Sequence, residues 1–295
     1  MKKINFFIDG KIVIAEQGES IWKVAKRYGN TLPHLCYADK SGYRADGNCR
    51  ACMVSIEGER VLAASCLREP SEGMKVFTKD ARSEKSRQMV LELLVTDQPQ
   101  IDLSHDPESH FWKMAEIVDV SKSRFDKREA TMVPNSDNSN KAMSVNLDAC
   151  IHCNLCVRAC REVQVNDVIG MGERGHSSKI IFDFDDPMGD STCVSCGECV
   201  QACPTGALME SSLLDKNGKN KGKHDREVDS LCPYCGVGCQ LTFKIKDDKI
   251  ISADGRDGPA NNSRLCVKGR FGFDYINNPE RLTKPLIRKK DVKKD

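Results

Sequence analysis

The pattern C-x2-C-x2-C-x3-C occurs twice in this chain, at Cys150, Cys153, Cys156 and Cys160 and again at Cys193, Cys196, Cys199 and Cys203, where Pro204 follows the last cysteine. No other feature constrains the fold as tightly. Zinc accounts for Cys-x-x-Cys pairs one at a time but has no use for three cysteines at successive x2 intervals. Disulfide frameworks belong to small exported domains, and the start Met1-Lys-Lys-Ile-Asn leads into a strand pattern, not into the long apolar region of a signal peptide. The repeat instead has the spacing of iron-sulfur ligation.

Eight more cysteines complete the sixteen of the chain and fall into two further sets of four. Cys36, Cys49, Cys52 and Cys66 are spaced C-x12-C-x2-C-x13-C. A 2Fe-2S rhomb needs two thiolates on each iron, and one long loop carrying three of them with a fourth from the next hairpin can wrap it. Gly42 and Gly47 suit such a loop because they let backbone amides turn toward sulfur; a structural zinc is the competing reading. Cys232, Cys235, Cys239 and Cys266 are spaced C-x2-C-x3-C-x26-C, and on spacing alone a zinc ribbon fits them too.

Around these sets the first eighty residues read as a small mixed sheet. Strands at 3–7 and 11–14 flank an Asp9-Gly10 turn, and Ser20 caps a helix whose face is Ile21, Val24, Ala25 and Tyr28 before Gly29 ends it. A second hairpin pairs 52–56 with 60–64 around Glu57-Gly58, and 75–78 supplies another strand. A helix over 83–96 is expected to bury Met89, Val90, Leu93 and Leu94. Polar stretches at 121–146 and 211–228 read as linkers, and a last hairpin is expected from 241–245 and 249–252 around Asp247-Asp248.

Composition excludes several classes of function. The hydrophobic fraction is 39% with 30% charged residues and a formal charge of +2, the two signs interspersed. Neither nucleic acid nor an anionic membrane surface is therefore an expected partner. No apolar run is long enough to span a bilayer, and a cytoplasmic location is expected. Gly170-Met-Gly-Glu-Arg-Gly175 fits G-x-G-x-x-G, but a strand at 179–182 follows instead of a helix, so a glycine-rich connection is preferred over a dinucleotide site. Carboxylates and hydroxyls form no catalytic constellation.

The paired runs resemble two-cluster bacterial ferredoxins, in which three cysteines of one run and the last of the other hold each cubane. That resemblance implies one 4Fe-4S cluster on Cys150, Cys153, Cys156 and Cys203 and a second on Cys193, Cys196, Cys199 and Cys160. The Cys36 set resembles the N-terminal 2Fe-2S domain of the large iron-sulfur subunit of respiratory complex I and its relatives. Leu231-Cys-Pro-Tyr-Cys-Gly-Val-Gly-Cys239 and Leu265-Cys-Val-Lys-Gly-Arg-Phe271 look like the first domain of molybdenum or tungsten bis-pterin oxidoreductases, which implies a 4Fe-4S cluster on Cys232, Cys235, Cys239 and Cys266. Lys268 matches the family lysine between cluster and pterin.

In this order the motifs resemble the N-terminal portion of the alpha subunit of cytoplasmic NAD-dependent formate dehydrogenases. The implied fold class is α+β: a β-grasp 2Fe-2S domain at 1–80, a helical segment and linker at 81–145, a double 4Fe-4S ferredoxin domain at 146–212, a pterin-adjacent 4Fe-4S domain at 225–288 and a basic tail at 289–295. Complex I relatives place a cluster held by one histidine and three cysteines after the β-grasp domain. No cysteine lies between Cys66 and Cys150, so that cluster is expected to be absent and His105 and His110 to be structural or at the surface. The family oxidises formate, and the implied partners are a molybdopterin-binding catalytic chain and an FMN/NAD diaphorase. The bis-pterin metal is expected on a partner or a segment beyond Asp295, which makes this chain a split subunit or a fragment. A stand-alone multi-cluster electron carrier serving a hydrogenase or other reductase is the alternative.

Overall fold

A computed structural model of the protein describes residues 3–127 and 134–290. Part of the expected linker, 128–133, and the end of the expected basic tail, 291–295, lie outside the described residues. The chain divides into two compact units, Met1–Gly222 and Lys223–Asp295.

The first unit begins with β1 (Lys3–Ile8) and β2 (Lys11–Glu16), antiparallel around Asp9 and Gly10, both of which have positive φ. Alternation puts Phe6, Ile8, Val13 and Ala15 inside and leaves Ile12 and Ile14 outside. Helix α1 (Ile21–Arg27) starts at Ser20, whose hydroxyl accepts from the Lys23 amide, and buries Ile21, Trp22, Val24 and Ala25. Strands β3 (Met53–Ile56), β4 (Ala63–Ala64) and β5 (Lys75–Phe77) complete a five-stranded sheet in the order β2-β1-β5-β3-β4, with β5 parallel to β1. Full burial of Phe6 contributes about 2 kcal/mol to this core.

Helix α2 (Ala81–Thr96) is capped by Asp80 and turns a different face inward from the one its apolar residues suggest. Ser83, Arg87, Leu91 and Val95 are buried, and Leu93 is half exposed. The reason is polar: Arg87 donates to the carbonyls of Met53 at 2.8 Å and Thr78 at 2.6 Å, tying the helix to the sheet. Helix α3 (His110–Ile117) is capped by Ser109 and adds Phe111, Trp112, Met114 and Ala115 to a second core that includes Leu35 and Ala51. That core backs the loop carrying Cys36, Cys49 and Cys52.

The rest of the unit wraps the paired cysteine runs. Strand β6 (Met143–Val145) lies inside the stretch read as linker, pairing antiparallel with a strand at Leu208–Glu210. Between them come α4 (Leu155–Arg158), which continues as a π turn over Ala159–Val163, the hairpin β7 (Ile169–Gly172) and β8 (Lys179–Phe182), and α5 (Glu198–Ala202), after which Leu208–Glu210 is β9. The G-x-G-x-x-G stretch thus runs from β7 through a short 3-10 turn into β8, with no helix to receive a pyrophosphate.

The second unit is a three-stranded antiparallel sheet, β10 (Arg226–Leu231), β11 (Gln240–Lys246) and β12 (Lys249–Gly255), with the short helix α6 (Val267–Phe271). β10 begins inside the stretch read as the second linker, because its mostly exposed side chains give no hydrophobic alternation to read. The expected strand at 60–64 is likewise shortened to β4, and Tyr28 lies outside the α1 core, its hydroxyl accepting from the Ile14 amide. No helix among the described residues is long and apolar enough to cross a membrane.

Candidate metal centres

The loop between α1 and β3 brings three cysteines of the first set together, and the turn after β4 adds Cys66. Cys36, Cys52 and Cys66 are buried and Cys49 is partly so. The Cys49 amide donates to the Cys36 sulfur at 3.4 Å and the Ala51 amide to the Cys49 sulfur at 3.5 Å. Gly42 and Gly47 both take positive φ, as that loop requires, and a Cβ on Gly47 would meet Leu67 Cδ1 at 2.4 Å. The thiols lie against one another: Cys49 and Cys66 donate to Cys36, which holds Cys36 below the ordinary thiol range and pushes Cys66 above it. Four thiols gathered in one pocket form a donor set for a thiophilic metal cluster larger than a single ion.

The two later runs share one backbone design. His152 and Asn154 in the first, and Ser195 and Gly197 in the second, take left-handed φ at equivalent positions. Each run therefore turns an amide back onto its first sulfur, His152 onto Cys150 and Ser195 onto Cys193, both at 3.4 Å. Cysteine spacing announces the repeat but not these left-handed residues, since three of the four are not glycine.

Cys150, Cys153, Cys156 and Cys203 line one pocket, whose remaining wall is largely apolar and includes Ile151, Pro204 and Leu208. Burial pushes the Cys153 and Cys156 thiols up, and Cys203 and Cys150 lie close enough to add to the effect. Cys160 belongs elsewhere: its sulfur accepts from the Val168 amide at 3.3 Å, and it neighbours Cys193 and Cys199. Asn166 Nδ2 lies 3.9 Å from the Cys196 sulfur. Burial that disfavours free thiolates at Cys153, Cys156 and Cys199 fits a positively charged metal group that would hold them as thiolates.

In the second unit Cys232, Cys235, Cys239 and Cys266 are neighbours, and burial followed by the other three pushes the Cys239 thiol up. The Cys232 amide donates to the Cys239 carbonyl at 2.9 Å. This set is the most open, with Cys235 and Cys266 exposed. Lys268 stands exposed on α6, two residues past Cys266. Among the described residues no three His, Cys, Asp or Glu side chains meet around one point as a single metal ion requires. His105 contacts the Gly218 carbonyl at 2.8 Å and Asp148 at 3.4 Å, and His110 contacts the His34 carbonyl at 2.8 Å, so both rings have partners within the protein.

Three domain families match the sequence in chain order. Residues 1–81 match the 2Fe-2S iron-sulfur cluster binding domain, residues 149–207 the 4Fe-4S dicluster domain, and residues 225–278 the molybdopterin oxidoreductase Fe4S4 domain. This is an iron-sulfur protein. Its relatives include an NADH-quinone oxidoreductase subunit of Rhizobium meliloti, 31% identical over 97% of this chain and 33% of that protein. A putative formate dehydrogenase of Staphylococcus haemolyticus is 26% identical over 96% of this chain and 32% of its own length. The NADPH-Fe(3+) oxidoreductase alpha subunit of Geobacter sulfurreducens is 28% identical over 97% and 33%. The iron-sulfur protein thus spans about a third of the length of these relatives. A chain in the crystal structure of an NAD+-reducing [NiFe]-hydrogenase shares its fold, with a TM-score of 0.62, 24% identity and coverage of 70% of this chain and 87% of that one.

Proposed function

We propose that the iron-sulfur protein carries one 2Fe-2S and three 4Fe-4S clusters and serves as the electron-transfer part of an NAD-linked formate dehydrogenase. The observation that carries this reading is the match of residues 225–278 to the molybdopterin oxidoreductase Fe4S4 domain, behind a 2Fe-2S and a dicluster domain on the same chain. Cys36, Cys49, Cys52 and Cys66 are assigned to the 2Fe-2S cluster. Cys150, Cys153, Cys156 and Cys203 are assigned to one cubane, Cys193, Cys196, Cys199 and Cys160 to the second, and Cys232, Cys235, Cys239 and Cys266 to the third. Bound there, the clusters supply one-electron transfer.

The protein's own groups prepare those sites. Amides of Cys49, His152, Val168 and Ser195 aim at sulfur, and such hydrogen bonds favour the reduced state. The five-stranded sheet with α1 supports a β-grasp reading of residues 1–80, followed by the helical segment at 81–145, the double ferredoxin domain at 146–212 and the pterin-adjacent domain at 225–288. Exposure of Cys235, Cys266 and Lys268 supports a catalytic molybdopterin chain as the partner of the last domain, with Lys268 between cluster and pterin. An FMN/NAD diaphorase is the other partner, in the cytoplasm.

A second reading, relay service to a quinone-linked NADH oxidoreductase or a hydrogenase, draws on the 31% identity to the Rhizobium meliloti protein and is compatible with the fold shared with the hydrogenase chain. Iron, sulfide, molybdenum and tungsten analysis of the protein isolated with its native partners separates the two. Formate must reduce the bound clusters, and Cys49→Ser must slow NAD reduction while sparing formate oxidation by an artificial acceptor. Purification with a hydrogenase and no molybdenum or tungsten favours the second reading; zinc without acid-labile sulfide sinks both.

A further inference from the structure

Arg158 is 3% exposed and ends α4, two residues after Cys156 and two before Cys160. A buried guanidinium needs acceptors for its donors, and most of those it finds lie in the Cys36–Cys49 loop, more than a hundred residues away in sequence. Nη2 donates to the Cys36 carbonyl at 2.6 Å, Nη1 donates to the Arg44 carbonyl, and Nε lies 3.1 Å from Asp46 Oδ2. Nε also reaches the Asn154 carbonyl of its own run at 3.4 Å. Arg44 closes the network, pairing with Asp46 and with Glu162 at 3.1 Å. Cys36 is in turn one of the charged neighbours of Cys153.

We infer that Arg158 is a positioning residue for electron exchange between the Cys36 set and the Cys150 set: it fixes the first cysteine loop against the dicluster fold, and its buried positive charge favours the reduced state of both. The inference rests on the cluster reading above. Reduction adds an electron to each site, so a cation held in a low-dielectric joint between them stabilises the product of either reduction. Asp46, on the Nε side of the guanidinium, acts with the opposite sign. Lysine can replace the charge but not the fork that spans Cys36, Arg44 and Asp46 at once.

The test is an EPR-monitored redox titration of the full, cluster-loaded chain and of Arg158→Met, Arg158→Lys and Asp46→Asn, with iron and acid-labile sulfide counted in each. Arg158→Met should move the midpoints of the 2Fe-2S signal and of one 4Fe-4S signal to more negative potential, and Arg158→Lys should move them less. Asp46→Asn should move the same two to more positive potential, and in every variant these two should move more than any other 4Fe-4S signal. If Arg158→Met does not take up iron, Arg158→Lys and Asp46→Asn decide. Unmoved midpoints in loaded variants, a negative shift in Asp46→Asn, or one equal shift of every signal overturns the inference while leaving the cluster reading in place. Absence of a 2Fe-2S signal from the unsubstituted chain overturns both.

Discussion

His105 reaches across to Asp148, its Nε2 3.4 Å from the carboxylate, while its Nδ1 contacts the Gly218 carbonyl at 2.8 Å. The Asp148 carboxylate beside it raises the His105 pKa above the ordinary imidazole value, against the opposing effect of burial. A raised folded pKa means that the folded protein binds the proton more tightly than the unfolded chain does. The stabilisation is therefore complete below about pH 6.5, the unfolded value, and is lost as pH rises through the higher folded value. Urea midpoints measured across this range should fall with rising pH, and His105→Gln should remove that part of the slope. An unchanged slope in the variant would show that the pair does not titrate as described.

Gly255 closes β12 where the chain turns toward Cys266. A Cβ there would lie 2.0 Å from the Ser263 carbonyl oxygen, a backbone atom that cannot rotate away. Gly255→Ala should cost the second unit about 1–3 kcal/mol, seen as faster proteolysis of residues 223–290 with the first unit's protection unchanged. Equal protection of both units in the variant and the parent would contradict the close approach.

The proposed crossed ligation between the two runs predicts a spectroscopic signature. Cys203→Ala and Cys150→Ala should perturb the same 4Fe-4S EPR signal, and Cys160→Ala and Cys193→Ala a different one. Pairing of Cys203→Ala with Cys193→Ala would instead mean that each run holds its own cube.

What is legible in the sequence is chemistry that is local in the chain. Cysteine spacing, the Asp9-Gly10 hairpin and the Ser20 cap depend on neighbours a few residues apart, and each is present in the structure. The buried face of α2 differs from its apolar pattern because Arg87 turns inward for two carbonyls, one of them 34 residues back, and no periodicity signals that. The role of Arg158 is hidden for the same reason, since its contact with Cys36 spans 122 residues. At His152, Asn154 and Ser195 no glycine marks the left-handed conformation, which non-glycine residues adopt only uncommonly.

Cys203 lines the pocket of the first run, and Cys160 sits with the second. On the crossed-ligand reading this carries a consequence for biosynthesis. A ribosome releases Cys150, Cys153 and Cys156 well before Cys203 exists, so the first cube has an open corner until the second run has been translated. Neither cube can then be sealed by its own half of the repeat, and delivery of iron and sulfide to this domain becomes a single late event, after residue 203 has left the exit tunnel.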